Sequence, residues 1–266
     1  MINIMHKVKE ARPFRKSQEY IDYDNTKDRL KKDKKSCEKY IDQYKQRLER
    51  LLEDKTLYNE KAYNEIKEQI QRWKYEKEKC ELERKFIRPN RKEEIEDRER
   101  IANTFGNNLL EVLGSESNLR FHGTPIYYAK QIIESGGISS TADRYDGYIK
   151  STDLPGTFSA STINTLSRSI NFFTDFGSYI RCLPCGVLFV LREQEGDYEL
   201  RGESSMQNIN FKEKPDNLVA IVCTDEVKNK VIRWCNKNEI DSNKVFTYDG
   251  FIEYARNNNL EKGRSL

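Results

Sequence analysis

Residues 121–125 read Phe-His-Gly-Thr-Pro, and the interpretation of the C-terminal half of the chain depends on this stretch. Its apolar first residue is typical of the end of a strand, and Gly123 leaves bare backbone beside the imidazole of His122. Thr124 and Pro125 predict the cap and the first turn of a helix. An imidazole placed in this way can bond a ribose hydroxyl while the main chain approaches a planar ligand. A structural histidine in a turn is the alternative.

The residues around His122 resemble the first motif of the ADP-ribosyltransferase superfamily, in its poly(ADP-ribose) polymerase and diphtheria-toxin branch. In that branch His-Gly-Ser/Thr is followed by a helix and then by glycine, and here a glycine pair stands at residues 136–137. The resemblance implies that His122, Gly123 and Thr124 bind NAD and that His122 belongs to the catalytic set.

A second family motif follows as Gly-Thr-Phe-Ser-Ala at residues 156–160, with Arg-Ser-Ile-Asn-Phe on the helix expected after it. These segments are similar to the Gly-Ile-Tyr-Phe-Ala strand and the Lys-Ser-Ala-Asn-Tyr helix of the family. The resemblance places Phe158 at the tyrosine of the His-Tyr-Glu signature and assigns Ser159 to the NAD-binding set. It also implies that the Ser169 hydroxyl holds the carboxamide of nicotinamide and that the Phe172 ring stacks on it. Helical spacing predicts a buried stripe at Ile163, Leu166, Ile170 and Phe173.

The third motif departs from the family, which places a glutamate at the start of a late strand. There the carboxylate binds the nicotinamide ribose and stabilises the positive charge that develops as nicotinamide leaves. Matching Ile209 and Phe211 to the inward residues of that strand places Gln207 at the glutamate position. Glu203 takes the role instead if the loop before the strand is one turn longer.

The N-terminal part has a different texture, with no glycine or proline between about residues 28 and 85. Apolar residues recur there at helical spacing, with a break at residues 54–59, which predicts two amphipathic helices folded as a hairpin. A third helix is expected over residues 92–113. The heptad-like runs are too short for a firm coiled coil. The hairpin is interpreted either as a solvated module packed on its own domain or as a surface that docks a partner or a membrane.

Composition excludes several classes of protein. The net charge of +3 gives no sustained field for nucleic acid, and no apolar run is long enough to span a membrane. The 6 cysteines, including the close pair Cys182 and Cys185, are interpreted as reduced thiols, and no metal site is expected. We therefore expect a cytoplasmic protein, which on analogy could be delivered into a host cell as an effector.

These observations predict an α+β chain with a helical accessory segment over residues 1–114 and a mixed-sheet catalytic domain over residues 115–266. The resemblance implies a mono-ADP-ribosyltransferase that cleaves NAD as its co-substrate and modifies a protein acceptor. A degenerate module that only binds NAD or ADP-ribose is the first alternative, and a relative of the RNA 2′-phosphotransferases is the second. Strands are expected around Phe121 and Phe158, and at residues 187–191, 209–211, 218–222 and 245–246.

Overall fold

The computed structural model describes residues 17–54, 58–89, 92–140, 157–166, 186–200, 203–258 and 260. Its helices, in chain order, are α1 (Gln18–Glu53), α2 (Glu60–Phe86), α3 (Lys92–Leu113), α4 (Ile126–Ser135), α5 (Asp225–Lys237) and α6 (Tyr248–Asn257). Its strands are β1 (Leu119–Thr124), β2 (Gly137–Ile138), β3 (Thr157–Ser161), β4 (Val187–Arg192), β5 (Tyr198–Leu200), β6 (Glu203–Gln207), β7 (Ile209–Asn210), β8 (Leu218–Val222) and β9 (Val245–Phe246).

The predicted hairpin is confirmed by α1 and α2, which pack side by side along their length. The break falls where the sequence predicts it, and Asn59 starts the second helix. Its side-chain oxygen accepts hydrogen bonds from the backbone N–H groups of Lys61 and Ala62, at 2.8 and 3.3 Å. No helix in the described part of the chain is both long and apolar enough to cross a bilayer.

Two separate apolar clusters hold the hairpin. The tip cluster, next to the break, contains only hairpin residues and is built on Leu51, Ile66 and Ile70. The base cluster joins the hairpin to α4, and its buried members are Leu30, Cys80, Ile87 and Tyr127. At the base the Tyr127 hydroxyl donates to the buried Glu83 carboxylate at 3.2 Å. The base is therefore anchored to the helix that follows His122, whereas among the described residues the tip packs only within the hairpin.

Helix α3 belongs with the sheet in its packing, although the sequence places the domain boundary after it. Phe105, Leu109 and Val112 are buried in the same core as Phe121 of β1. A chain that began at Ser115 would lose these side chains and open a large cavity in that core. The core of the sheet domain therefore extends upstream of the boundary expected near Ser115.

The expected mixed sheet is present. It has 7 strands in the order β5-β6-β3-β1-β4-β8-β9, antiparallel except for the parallel pair of β8 and β9. Strands β2 and β7 form a separate two-stranded sheet. Helices α3 and α6 cover one face of the large sheet, and α4 and α5 cover the other. The described chain is α+β, as predicted.

The sequence identified the strands that are buried on both faces. In β4, Leu188 and Val190 enter the core under α3, whereas Val187, Phe189 and Leu191 enter the core under α4 and α5. Strands β2, β5 and β6 were not predicted. The cap of α4 also differs from the expectation, because Pro125 is its N-cap residue and Thr124 is still part of β1.

Two adjacent leucines of α3 test whether this helix is part of the core. The Leu109 side chain is 0% exposed and that of Leu110 is 40% exposed. Leu109→Ala should lower the free energy of unfolding by about 2–5 kcal/mol, because it leaves a cavity. Leu110→Ala is the matched control and should cost less than about 1 kcal/mol. Urea unfolding measures both, and equal small losses would place α3 outside the core.

The buried Glu83 gives a prediction about pH. Burial raises the pKa of this carboxyl above its usual value, against the opposing charges of Lys79 and Arg29. The folded protein therefore keeps the proton to a higher pH than the unfolded chain, whose glutamates titrate near pH ~4.3. The contribution of Glu83 to stability is fully favourable below that pH and is lost as pH rises through the folded pKa.

Glu83→Gln keeps an acceptor for the Tyr127 hydroxyl and cannot ionise. The variant should match the wild type at acid pH and be the more stable protein at neutral pH. The exposed Glu253 supplies the control, and Glu253→Gln should change little at either pH. Thermal unfolding at several pH values measures this. The prediction is contradicted if Glu83→Gln loses stability relative to the wild type as the pH rises from acid to neutral.

Candidate functional site

His122 lies where β1 and β3 meet. The backbone register between β1 and β3 contains one residue pair, Phe121 with Ser161. Beside that pair the His122 ring crosses to β3, and its Nδ1 lies 3.0 Å from the main-chain oxygen of Ser159. Because a carbonyl oxygen can only accept, Nδ1 carries the proton. The His122 side chain thus makes a hydrogen bond between the strands, as backbone groups normally do in a sheet. The same bond holds the neutral ring in a single tautomer.

Phe158 completes this contact from β3. Its ring meets the imidazole of His122 edge to face, with ring centroids 5.4 Å apart and an interplanar angle of 85°. Phe158 is buried and packs with Met206 in the core under α4 and α5, whereas His122 and Gly123 are only half buried. The first and second motifs, 36 residues apart in the sequence at these positions, therefore meet in space.

The glycine pair after α4 has a steric cause. Gly136 adopts φ +74° and caps the helix, and its N–H reaches the carbonyls of Ile132 and Ile133. Gly137 lies against β7, where an added Cβ would stand 2.1 Å from the main-chain oxygen of Ile209. No other residue fits there without backbone movement. The glycine pair, which closes the first motif, therefore fixes the end of α4 against β7.

The third motif lies on β6, which pairs with β3 along its whole length. Glu203 is the first residue of β6 and is in register with Ser161, whereas Gln207 is the last residue and is in register with Thr157. The expectation that Gln207 opens the late strand is therefore wrong. Ile209 lies on a separate short strand, β7. Matching Ile209 to the late strand of the family therefore gave Gln207 a position at the start of a strand, which it does not occupy. Glu203, the alternative candidate for this role, is the residue with which β6 begins.

Gln207 instead secures the turn between β4 and β5. Its backbone N–H donates to Asp197 Oδ1 at 2.7 Å, and its side-chain Nε2 donates to the Gly196 carbonyl at 3.3 Å. The second Asp197 oxygen accepts the Gln194 N–H at 2.7 Å. Sequence reasoning missed Asp197, although a Gly-Asp pair between strands is a recognisable turn signal.

The structure describes two of the four remaining predicted site residues. Ser159 is exposed on β3, and Thr124 is buried at the end of β1. Ser169 and Phe172 lie outside the described residues, as do the last two positions of the expected stripe. The first two, Ile163 and Leu166, are buried in the core under α3 as predicted.

The four described cysteines are buried free thiols, namely Cys37, Cys80, Cys223 and Cys235. Burial raises the pKa of the Cys80 and Cys235 thiols to about 12, so both stay protonated and poorly nucleophilic at neutral pH. Cys182 and Cys185 lie outside the described residues. In the part of the chain that the structure describes, no three histidine, cysteine or acidic side chains are grouped as metal ligands.

Three candidate site residues, His122, Phe158 and Glu203, lie on neighbouring strands. Strand β3 lies beside β1 and carries the Phe158 ring that contacts His122. Strand β6 lies on the other side of β3 and begins with Glu203. The backbones of β1 and β6 lie two strand spacings apart, roughly 10 Å. Comparisons with protein-family models, with curated proteins and with solved structures give no match to this chain.

The contact with Ser159 predicts the tautomer of His122. At about pH 8.5, where a free imidazole is neutral, Nδ1 should be protonated and Nε2 should not. Nitrogen-15 NMR distinguishes the two ring nitrogens, and the chain has only 2 histidines, so a His122→Asn variant assigns the signals. A neutral ring with its proton on Nε2 would contradict the contact.

Proposed function

We propose that this chain is an NAD-dependent mono-ADP-ribosyltransferase that modifies a protein acceptor. The observation that carries the proposal is the meeting of the first two motif residues: the His122 ring bonds the β3 backbone and contacts the Phe158 ring. Residues that resemble separate motifs of one family gain weight when the fold brings them into contact. The strand that begins with Glu203 pairs with β3, the strand that carries Phe158.

In this proposal β1 and β3 form the wall that binds NAD. The His122 imidazole bonds a ribose hydroxyl, and Gly123 lets the main chain approach the nicotinamide, since it has no side chain to hold the ligand away. Thr124, Phe158 and Ser159 support this wall. Ser169 and Phe172 remain predictions from the resemblance, as the residues that hold the carboxamide and stack on the ring.

The chemistry requires a group that favours departure of nicotinamide over binding of intact NAD. We assign this role to Glu203. A carboxylate at the start of β6 would accept a hydrogen bond from the nicotinamide ribose and stabilise the positive charge that develops there. Gln207 brings no charge, and its amide donates to the Gly196 carbonyl.

Nicotinamide release from NAD by the purified chain separates the transferase from its alternatives. A transferase releases nicotinamide slowly even without an acceptor, because water can take the ribosyl group. A module that only binds NAD or ADP-ribose releases none while still showing a calorimetric signal with NAD. An RNA 2′-phosphotransferase relative would release nicotinamide only with a 2′-phosphorylated RNA.

The catalytic assignment is tested by changing the two ends of β6 separately. Glu203→Gln removes the charge with almost no change in size, and it should slow nicotinamide release by about 10²-fold or more, with NAD affinity nearly unchanged. Gln207→Ala is the matched control on the same strand and should slow release by less than about tenfold. The opposite pattern would return the role to Gln207, and Gln207→Glu would then raise turnover.

A further inference from the structure

A groove away from this site collects most of the excess positive charge of the protein. It lies between the end of α2, helix α4 and helix α5, and has a volume of about 610 Å³. Six cationic side chains line it, namely Lys85, Arg88, Lys130, Lys230, Arg233 and Lys237. Glu226 is the one acidic lining residue. The whole chain carries a net charge of only +3, so its charge is strongly uneven.

The sequence spacing explains how one helix supplies half of these charges. Lys230, Arg233 and Lys237 are three and four residues apart, so they lie on one face of α5. Lys85 adds a cation from α2 across the groove. Lys85, Lys230 and Lys237 form no salt bridge with a carboxylate in the described residues. Like charges brought together destabilise the free protein, and a bound anion relieves that cost.

Both arginines of the groove already have contacts that limit their use. Arg88 pairs with Glu226 at 2.7 Å, and the Nε of Arg233 donates to the Asn229 carbonyl of its own helix at 3.2 Å. The Glu226 carboxylate therefore competes with any ligand for Arg88. The lysines act as point charges, which attract carboxylates without requiring a fixed geometry.

The aromatic residues of the groove also argue against bases as ligands. Phe86 and Trp234 pack edge to face with centroids 6.2 Å apart, and both lie against the core. Lys230 covers the Phe86 ring at 5.9 Å. Single-stranded nucleic acid is bound where aromatic faces are open for stacking, and this pair does not present such a platform.

We propose that this groove binds an acidic segment of a partner protein. The cations from Lys230 to Lys237 extend over about 10 Å along α5, which is the length of three or four residues of extended peptide. Lys130, which also pairs with Glu134 of its own helix, lies on α4, the helix that follows the His122 strand. If the proposed transferase activity holds, the segment belongs to the protein that is modified, and the groove selects acidic substrates.

The test measures binding of a fluorescein-labelled deca-glutamate peptide to the full chain by anisotropy at low salt. The variant replaces three lysines: Lys85→Ala, Lys230→Ala and Lys237→Ala. The matched control removes the same charge outside the groove, with Lys45→Ala, Lys61→Ala and Lys228→Ala. The groove variant should bind about tenfold more weakly than wild type, and the control within about twofold. Affinity should also fall as salt is added.

Three results would overturn the proposal. These are no binding of the peptide to wild type, equal loss in the groove variant and the control, and tighter binding of a ten-nucleotide oligothymidylate than of the peptide. The last would assign the groove to nucleic acid. The peptide assay needs no NAD, so it is independent of the transferase. A chain that binds the peptide through the groove but releases no nicotinamide supports the groove and rejects the proposed activity.

Discussion

The ladder between β1 and β4 is the constraint on which the candidate site depends. It runs through 6 residue pairs. Strand β4 is buried on both faces of the sheet, and β1 buries Leu119 and Phe121 under α3. Side chains alternate between the two cores, so a slip of one residue would expose each apolar group to the wrong face. Phe121 is held under α3 by this alternation. His122, the next residue, must then face the other side, where Phe158 lies.

The site forms where this regular pairing gives way. Strand β3 joins β1 at a single register pair and is joined to β6 along its full length. The imidazole of His122 bridges β1 and β3, so one side chain both supports the sheet and has a fixed orientation. A side chain oriented by fixed backbone loses little freedom when a ligand binds, which is the basis of preorganised sites.

The sequence predicted the elements whose residues repeat with a clear period and missed those that rely on partners elsewhere. The long helices and β4 carry continuous periodic apolar patterns. In contrast, β6 reads Glu-Ser-Ser-Met-Gln, and only Met206 of its described side chains is buried, so its strand conformation comes from β3 and β5. The same weakness misplaced Gln207. The amphipathic face of α3 predicted a helix but could not reveal that the sheet, not the hairpin, covers Leu109.

The two clusters of the hairpin imply unequal lifetimes for its two ends. The base shares Tyr127 with the core-packed helix α4, so opening it requires that helix to shift as well. In the part of the chain that the structure describes, the tip around Ile66 packs only against other hairpin residues. Local fluctuations should therefore detach the tip while the base stays closed, and its amide protons should exchange with solvent well before those near Leu30. A long helical hairpin would then behave as two cooperative units, of which only one is coupled to the folding of the sheet.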